Sequence, residues 1–204
     1  MNSTKKVGRP RGFDMDKALL AAVNVFWTKG YDGASMKDLT EAMGINSPSL
    51  YATFGDKHTL YLRAIDRYAS NDACAPLVAF ESEPDIAAAI GAFMRAAIDY
   101  ATQHDSGAKG CFLSSCVSTS AGEVEGVQAL LGSAILDTDK RLARRFDLAK
   151  AEGTLPSEFP SLERARLMFD LRQGHVFRAR AGLDPATMLA DIEQRVKMVL
   201  APSQ

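Results

Sequence analysis

No apolar run in this chain approaches the roughly 18–20 residues that a membrane-spanning helix requires, because charged or small polar residues interrupt every candidate. The basic start does not continue into a signal peptide, since Asp14, Asp16 and Lys17 stand where an apolar core would be needed. The three cysteines, Cys74, Cys111 and Cys116, form no secreted-type framework, and reduced thiols are expected. A cytoplasmic protein is the expectation. There is no phosphate loop, no G-x-S-x-G and no H-E-x-x-H, and none of His58, His104 and His175 has a nucleophile beside it in sequence. No enzyme, cofactor or metal is expected. Cys111 and Cys116 lie about 140° apart around a helix, poorly placed for a disulfide or a shared metal.

What is present is a chain of 204 residues, 47% hydrophobic, long enough for a small domain beside a larger one. The net charge of −1 hides an asymmetry, because Lys5, Lys6, Arg9 and Arg11 give the first 13 residues +4 and leave −5 for the rest. Nothing reads as a strand.

The clearest local signal lies between residues 14 and 57. Leu19, Ala22, Val23 and Phe26 recur at helical spacing from about Asp14 to Lys29, with Gly30 as a C-cap. Ser35 and Asp38 have the spacing of a capping box opening a short helix through about Met43. After Gly44, either Asn46 or Ser47 caps another helix, and Pro48 falls in its first turn, where a missing N–H costs little. Two short helices meeting at a glycine turn, with a longer one ahead, form a helix-turn-helix.

Ser35, Gly44, Leu50, Tyr51, Phe54 and Lys57 resemble the DNA-binding pattern of the TetR/AcrR family of bacterial transcriptional regulators. The motif-rich part of the resemblance runs from about Phe13 to Leu62. Beyond it the similarity rests on helical layout, the Gly110-Cys111 step and the stretch from Ala179 to Asp184. It implies an all-α protein of about nine helices. Residues 1–12 are then a flexible basic arm, 13–55 the DNA-binding domain, and 56–204 an effector-binding and dimerisation domain entered through a linking helix over 56–71.

Further along, Ile86, Ala89, Ile90, Phe93, Met94, Ala97, Ile98 and Ala101 give the most regular amphipathic spacing in the chain. Helices are expected from Cys111 to Ala121, from after Glu123 to about Gly153, from Ser161 to Ala181 and from Pro185 to Leu200. In the family the last two long helices pack against their copies as a four-helix bundle. The stripe of Met188, Leu189, Ile192, Val196 and Val199 would face either that partner or its own core, and the partner is preferred.

For direct readout, Asn46, Ser47, Ser49 and Thr53 are short polar side chains at or near the start of the recognition helix, and Ala52 suits a thymine methyl. Many relatives have Lys and Gly where this chain has Ser47 and Pro48. The resemblance assigns phosphate contacts to Ser35, Tyr51 and Lys57, and Lys5, Lys6, Arg9 and Arg11 read as an arm along the DNA backbone or in the minor groove. In the C-terminal half the resemblance implies a small-molecule effector. The pool for its pocket is Phe93, Met94, Tyr100, His104, Cys111, Phe112, Phe146, Phe169, Gln173 and His175, with Met168, Phe177, Asp137, Asp170 and Arg172 as further candidates. Plain core packing competes for each. Cys111, beside Lys109 at an expected helix start, has the setting of a low-pKa thiol, against the ordinary alternative of an inert buried one.

The functional expectation is a sequence-specific DNA-binding homodimer, a repressor released from double-stranded operator DNA by a small molecule. The alternative is a protein–protein adaptor that keeps the helix-turn-helix without specific DNA binding.

Overall fold

The computed structural model describes residues 13–71, 74–103 and 110–202, so Lys5, Lys6, Arg9, Arg11, His104 and Lys109 lie outside the described part. Helix α1 spans Met15–Gly33, capped by Asp14, and its helical geometry is interrupted at Gly30 (φ 75°, ψ 172°) as the glycine there requires. Helix α2 is Met36–Met43. Its capping box is reciprocal: Ser35 Oγ accepts from the Asp38 N–H at 3.1 Å and Asp38 Oδ2 accepts from the Ser35 N–H at 3.0 Å. Gly44 (φ 65°, ψ 29°) turns the chain left-handed, and α3, Ser47–Phe54, starts on Asn46, whose Oδ1 accepts from the Ser49 N–H at 2.9 Å. Asn46 is therefore the cap, with Pro48 in the first turn. Helix α4, Lys57–Ala69, is capped by Asp56.

Helix α5, Ala75–Ser82, was not expected. Pro76 looks like loop punctuation in sequence, but it sits in the first turn of α5, where it starts a helix. Then come α6 (Ile86–Thr102), a π-helical turn (Leu113–Val117) running into α7 (Ser118–Ser120), α8 (Val127–Ala151) and α9 (Ser161–Arg180). The expected single last helix is two, α10 (Pro185–Leu189) and α11 (Ile192–Leu200), because Asp191 at φ −95° and ψ 0° leaves helical geometry. All described elements are helical, and none is long and apolar enough to cross a membrane.

Two cores organise these helices. The first joins α1 to α4 through fully buried Phe26, Leu39, Leu50, Phe54, Leu60 and Tyr61, and it draws in Phe112, Cys116, Val117 and Val127 from the chain around α7 and the start of α8. The second packs α5, α6, α8, α9, α10 and α11 around Phe80, Phe93, Met94, Phe146 and Met168. Helix α4 and the Cys111–Val117 segment lie where the cores meet: Phe112 touches Tyr61 and Tyr68 ring to ring, at 6.3 Å and 5.3 Å, while neighbouring Cys111 belongs to the second core.

The stripe preferred as a partner-facing surface is corrected here. Met188, Ile192 and Val199 are buried in the chain's own second core, where α11 packs on α6; Val196 is half-buried and only Leu189 is exposed. Periodicity shows that a face is apolar, not what covers it.

Candidate functional site

On α3, Leu50 and Phe54 are fully buried one turn apart and anchor the helix. The opposite side is free: Asn46, Ser47, Pro48, Tyr51 and Ala52 are exposed, and Ser49 and Thr53 half-buried. Ser47 with Tyr51, and Pro48 with Ala52, are i,i+4 pairs and so share a surface. Tyr51 keeps 53% exposure, which rules it out as a core tyrosine. Asn46 spends its side-chain carbonyl on the cap and retains its amide as a donor.

Lys57 is held in place. Its Nζ lies 4.6 Å over the Tyr31 ring and donates to the Asp32 carbonyl at 3.4 Å. Ser35 is more engaged than expected of a phosphate contact, since its Oγ donates to Asp38 Oδ2 at 2.7 Å and its N–H is also bonded to that carboxylate. Lys29 donates to Asp38 Oδ1 at 2.6 Å, and this bond, with those from Ser35, holds the Asp38 carboxyl well below the usual range. Sequence reasoning passed over Arg63, whose Nη1 donates to the Thr53 carbonyl at 2.8 Å and fastens the end of α3 to α4. Its distance of ten residues from Thr53 fits no local motif.

A cavity of about 630 Å³ opens beside the C-terminal half of α4. Of the expected pool, Phe93, Tyr100, Phe169 and Gln173 line it, as do Asp137 and Arg172. Others are placed elsewhere. Met94, Phe146 and Met168 are in the second core, Phe112 is in the first, Asp170 is exposed, and Phe177 is 75% exposed on the surface. His175 is fully buried with Arg195 Nη1 at 2.6 Å from its Nε2; burial, then the neighbouring guanidinium, pushes it down to about 4, so it is a neutral packed histidine. His104 lies outside the described residues.

Cys111 stands behind the cavity wall. Tyr68 Oη and Arg172 Nη2 each lie 3.5 Å from its Sγ, and Tyr68 Oη also meets Tyr100 Oη at 2.9 Å. Burial alone would push this thiol up, but Arg172, the Tyr68 hydroxyl and the Ser114 N–H outweigh it and bring it to about 7. The expected cause was a helix start and Lys109; the positive neighbour in the structure is Arg172 of α9. Burial raises Cys74 and Cys116. Thiolate absorbance of the folded protein should therefore show one early transition near pH 7, moving towards the ordinary thiol value in Arg172→Gln. Because the folded value is depressed, the linked stability is fully present above the unfolded thiol pKa and is lost as pH falls through about 7. A single transition above pH 8.5 would refute this.

The comparisons agree with this geometry. Residues 18–64, covering α1 through most of α4, match the model of bacterial regulatory proteins of the tetR family. The HTH-type transcriptional repressor ComR of Escherichia coli K12 is 30% identical over 179 residues, 87% of this chain and 85% of its own. The repressor BdcR of the same strain is 44% identical over 66 residues, 32% of this chain and 34% of its own. Among solved structures, a cysteine mutant of the TetR family regulator CifR, complexed with 26 bp double-strand operator DNA, superposes with a TM-score of 0.80 at 30% identity, covering 93% of this chain and 98% of that one. With a helix-turn-helix that presents Tyr51 outward, a matching family model and a relative aligned over most of both chains, the protein belongs to the tetR family and is a transcriptional regulator.

Proposed function

We propose that the protein is a homodimeric repressor that leaves its operator when a small molecule fills the cavity beside α4. The observation that carries this reading is the double duty of α4. Its N-terminal half holds the reading head, through Lys57 beside Tyr31 and Arg63 on Thr53, while Ile65, Asp66, Tyr68 and Ala69 at its other end line the cavity. A ligand pressing on that wall acts on a rigid rod about 20 Å long, at 1.5 Å per residue. His58 Nε2, 2.9 Å from the Glu125 carbonyl, ties the rod's start to the segment before α8.

In this reading residues 1–12 are a basic arm, 13–55 the head, and 56–204 the effector-binding and dimerisation domain with its linking helix at 56–71. Lys5, Lys6, Arg9, Arg11 and Lys57 supply charge to the DNA backbone, with Ser35 and Tyr51 beside them, while Asn46, Ser47, Ser49, Ala52 and Thr53 face bases. ComR is a repressor and CifR was captured on a 26 bp operator, long enough for two half-sites about 34–36 Å apart. A ligand favouring the DNA-free form ~100-fold would shift operator binding by ~2.7 kcal/mol.

The dimer surface is assigned to the exposed apolar side chains of the last helices, Leu162, Phe177, Leu189 and Met198, with Leu183 of the turn between α9 and α10, in place of the stripe that is core. Light scattering should return twice the 22.0 kDa chain mass. Phe177→Glu, at a position with 75% exposure and so little role in the fold, should shift the protein towards the single-chain mass and weaken operator binding. A monomeric wild type that still binds a palindrome tightly would refute this arrangement.

A further inference from the structure

Three arginines line the cavity; Arg144 is solvent-exposed, whereas Arg141 and Arg172, on different helices, are half-buried and have different partners. Arg141 is bound in bidentate fashion to Glu81, at 2.6 Å and 2.7 Å. Arg172 has no carboxylate partner among the described residues: its hydrogen bond goes to Cys111 Sγ, and the groups nearest in charge are Cys111, Cys74 and Tyr68. A guanidinium does not lose its proton in a protein, and the Cys111 sulfur, ionised only in part at neutral pH and 3.5 Å from one nitrogen, leaves most of the fork's donors unmatched. Taking such a cation out of water is costly unless an anion with good geometry meets it. The surroundings suit an oxyanion. Tyr68 and Tyr100 place hydroxyls beside Arg172, and Gln173, on the same wall, is fixed by Ser114 Oγ at 2.6 Å. The remaining wall is apolar at Phe93, Phe169 and Leu77, and the acids Asp66 and Asp137 also face the space, opposing a second negative charge.

We propose that the effector is a small organic monocarboxylate, its head held by the Arg172 fork with the tyrosine hydroxyls and its apolar body laid along Phe93 and Phe169. This rests on the reading of the cavity as the effector site. Arg172 supplies two parallel N–H donors to the planar carboxylate, the geometry in which guanidinium recognition is strongest.

The test uses the full-length protein and matched pairs: butanoate, hexanoate and octanoate against the corresponding primary amides, with affinity read by calorimetry. At least one acid should bind about tenfold or more tightly than its amide, as a charge-assisted bond implies. Arg172→Gln should erase that ratio, while Tyr100→Phe, which leaves the cation in place, should keep most of it. If Arg172→Gln fails to fold, the acid-to-amide ratio in the wild type and in Tyr100→Phe still decides. Amides binding as tightly as acids, or no acid binding at all, would overturn the proposal. Operator anisotropy on the same samples separates it from the reading it rests on. An acid that binds but leaves the protein on DNA sustains the carboxylate site and overturns release. Release by amides as readily as by acids does the reverse.

Discussion

Phe26→Ala is expected to destabilise the reading head by about 3–5 kcal/mol, the range for deleting a fully buried phenylalanine. Phe26 has no exposed surface and lies 4.7 Å, ring to ring, from Tyr61 of α4. It also stacks with Tyr31 at 6.3 Å, whose ring is 4.9 Å from that of Tyr61, and its backbone carbonyl accepts from the Cys116 thiol at 3.1 Å. The ring thus joins α1 to α4, while the backbone carbonyl ties α1 to the segment ahead of α8. The cavity left behind is rimmed by large rings that cannot collapse easily, which places the cost in the upper part of the range. Since whole domains are stable by only about 5–15 kcal/mol, the variant should lose operator binding by losing the head. Trp27, the sole tryptophan and a member of the same core, makes its fluorescence a local reporter of denaturant unfolding. A midpoint unchanged from the wild type would mean that this core does not hold the head together.

Replacing Tyr51 and Lys57 together with alanine should weaken binding to the operator by about 30–150-fold, the effect of removing the two proposed phosphate contacts at about 1–1.5 kcal/mol each. The salt dependence should become shallower by about one unit of log–log slope, because one cation is lost and the tyrosine carries none. Thermal stability should hardly change. Tyr51 projects with 53% exposure, and Lys57 gives up a cation–π contact with Tyr31 worth about 0.5–1 kcal/mol and a long hydrogen bond to the Asp32 carbonyl. The combination of intact fold, reduced affinity and reduced slope separates loss of DNA contacts from unfolding of the kind expected for Phe26→Ala. Wild-type affinity in the double variant would move the reading head away from α3 and the start of α4.

The parts of this protein that can be read from sequence are those fixed by neighbours along the chain. The Ser35–Asp38 box, Gly44, a cap at Asn46 or Ser47 and the placement of Pro48 are all decided within four residues, and the structure bears them out with Asn46 as the cap. Where two readings depended on distant partners, the sequence was silent. Met188, Ile192 and Val199 form an apolar stripe whether α6 or another subunit lies opposite, and α6 does. Pro76 has the same local meaning in a loop and in the first turn of a helix, so α5 was missed. The cavity is the extreme case. Its polar corner brings Tyr68 from α4, Tyr100 from α6, Ser114 from the π-helical turn and Arg172 from α9, none of which has a local motif. Choosing aromatic and flexible side chains as pocket candidates retrieved Phe93, Tyr100 and Phe169 but also Met94, Phe112 and Phe146, because the same residues that line cavities fill cores.

The measurement that bears most directly on the account is binding of the full-length protein to fragments selected from bacterial genomic DNA, by anisotropy across salt concentrations with scrambled competitor present. Nanomolar, competitor-resistant binding to a palindromic fragment is expected, with a salt slope that falls in the Tyr51 and Lys57 double variant. Weak binding of equal strength to every fragment, abolished by modest salt, would contradict it and leave a basic arm attached to a helix-turn-helix that serves another partner.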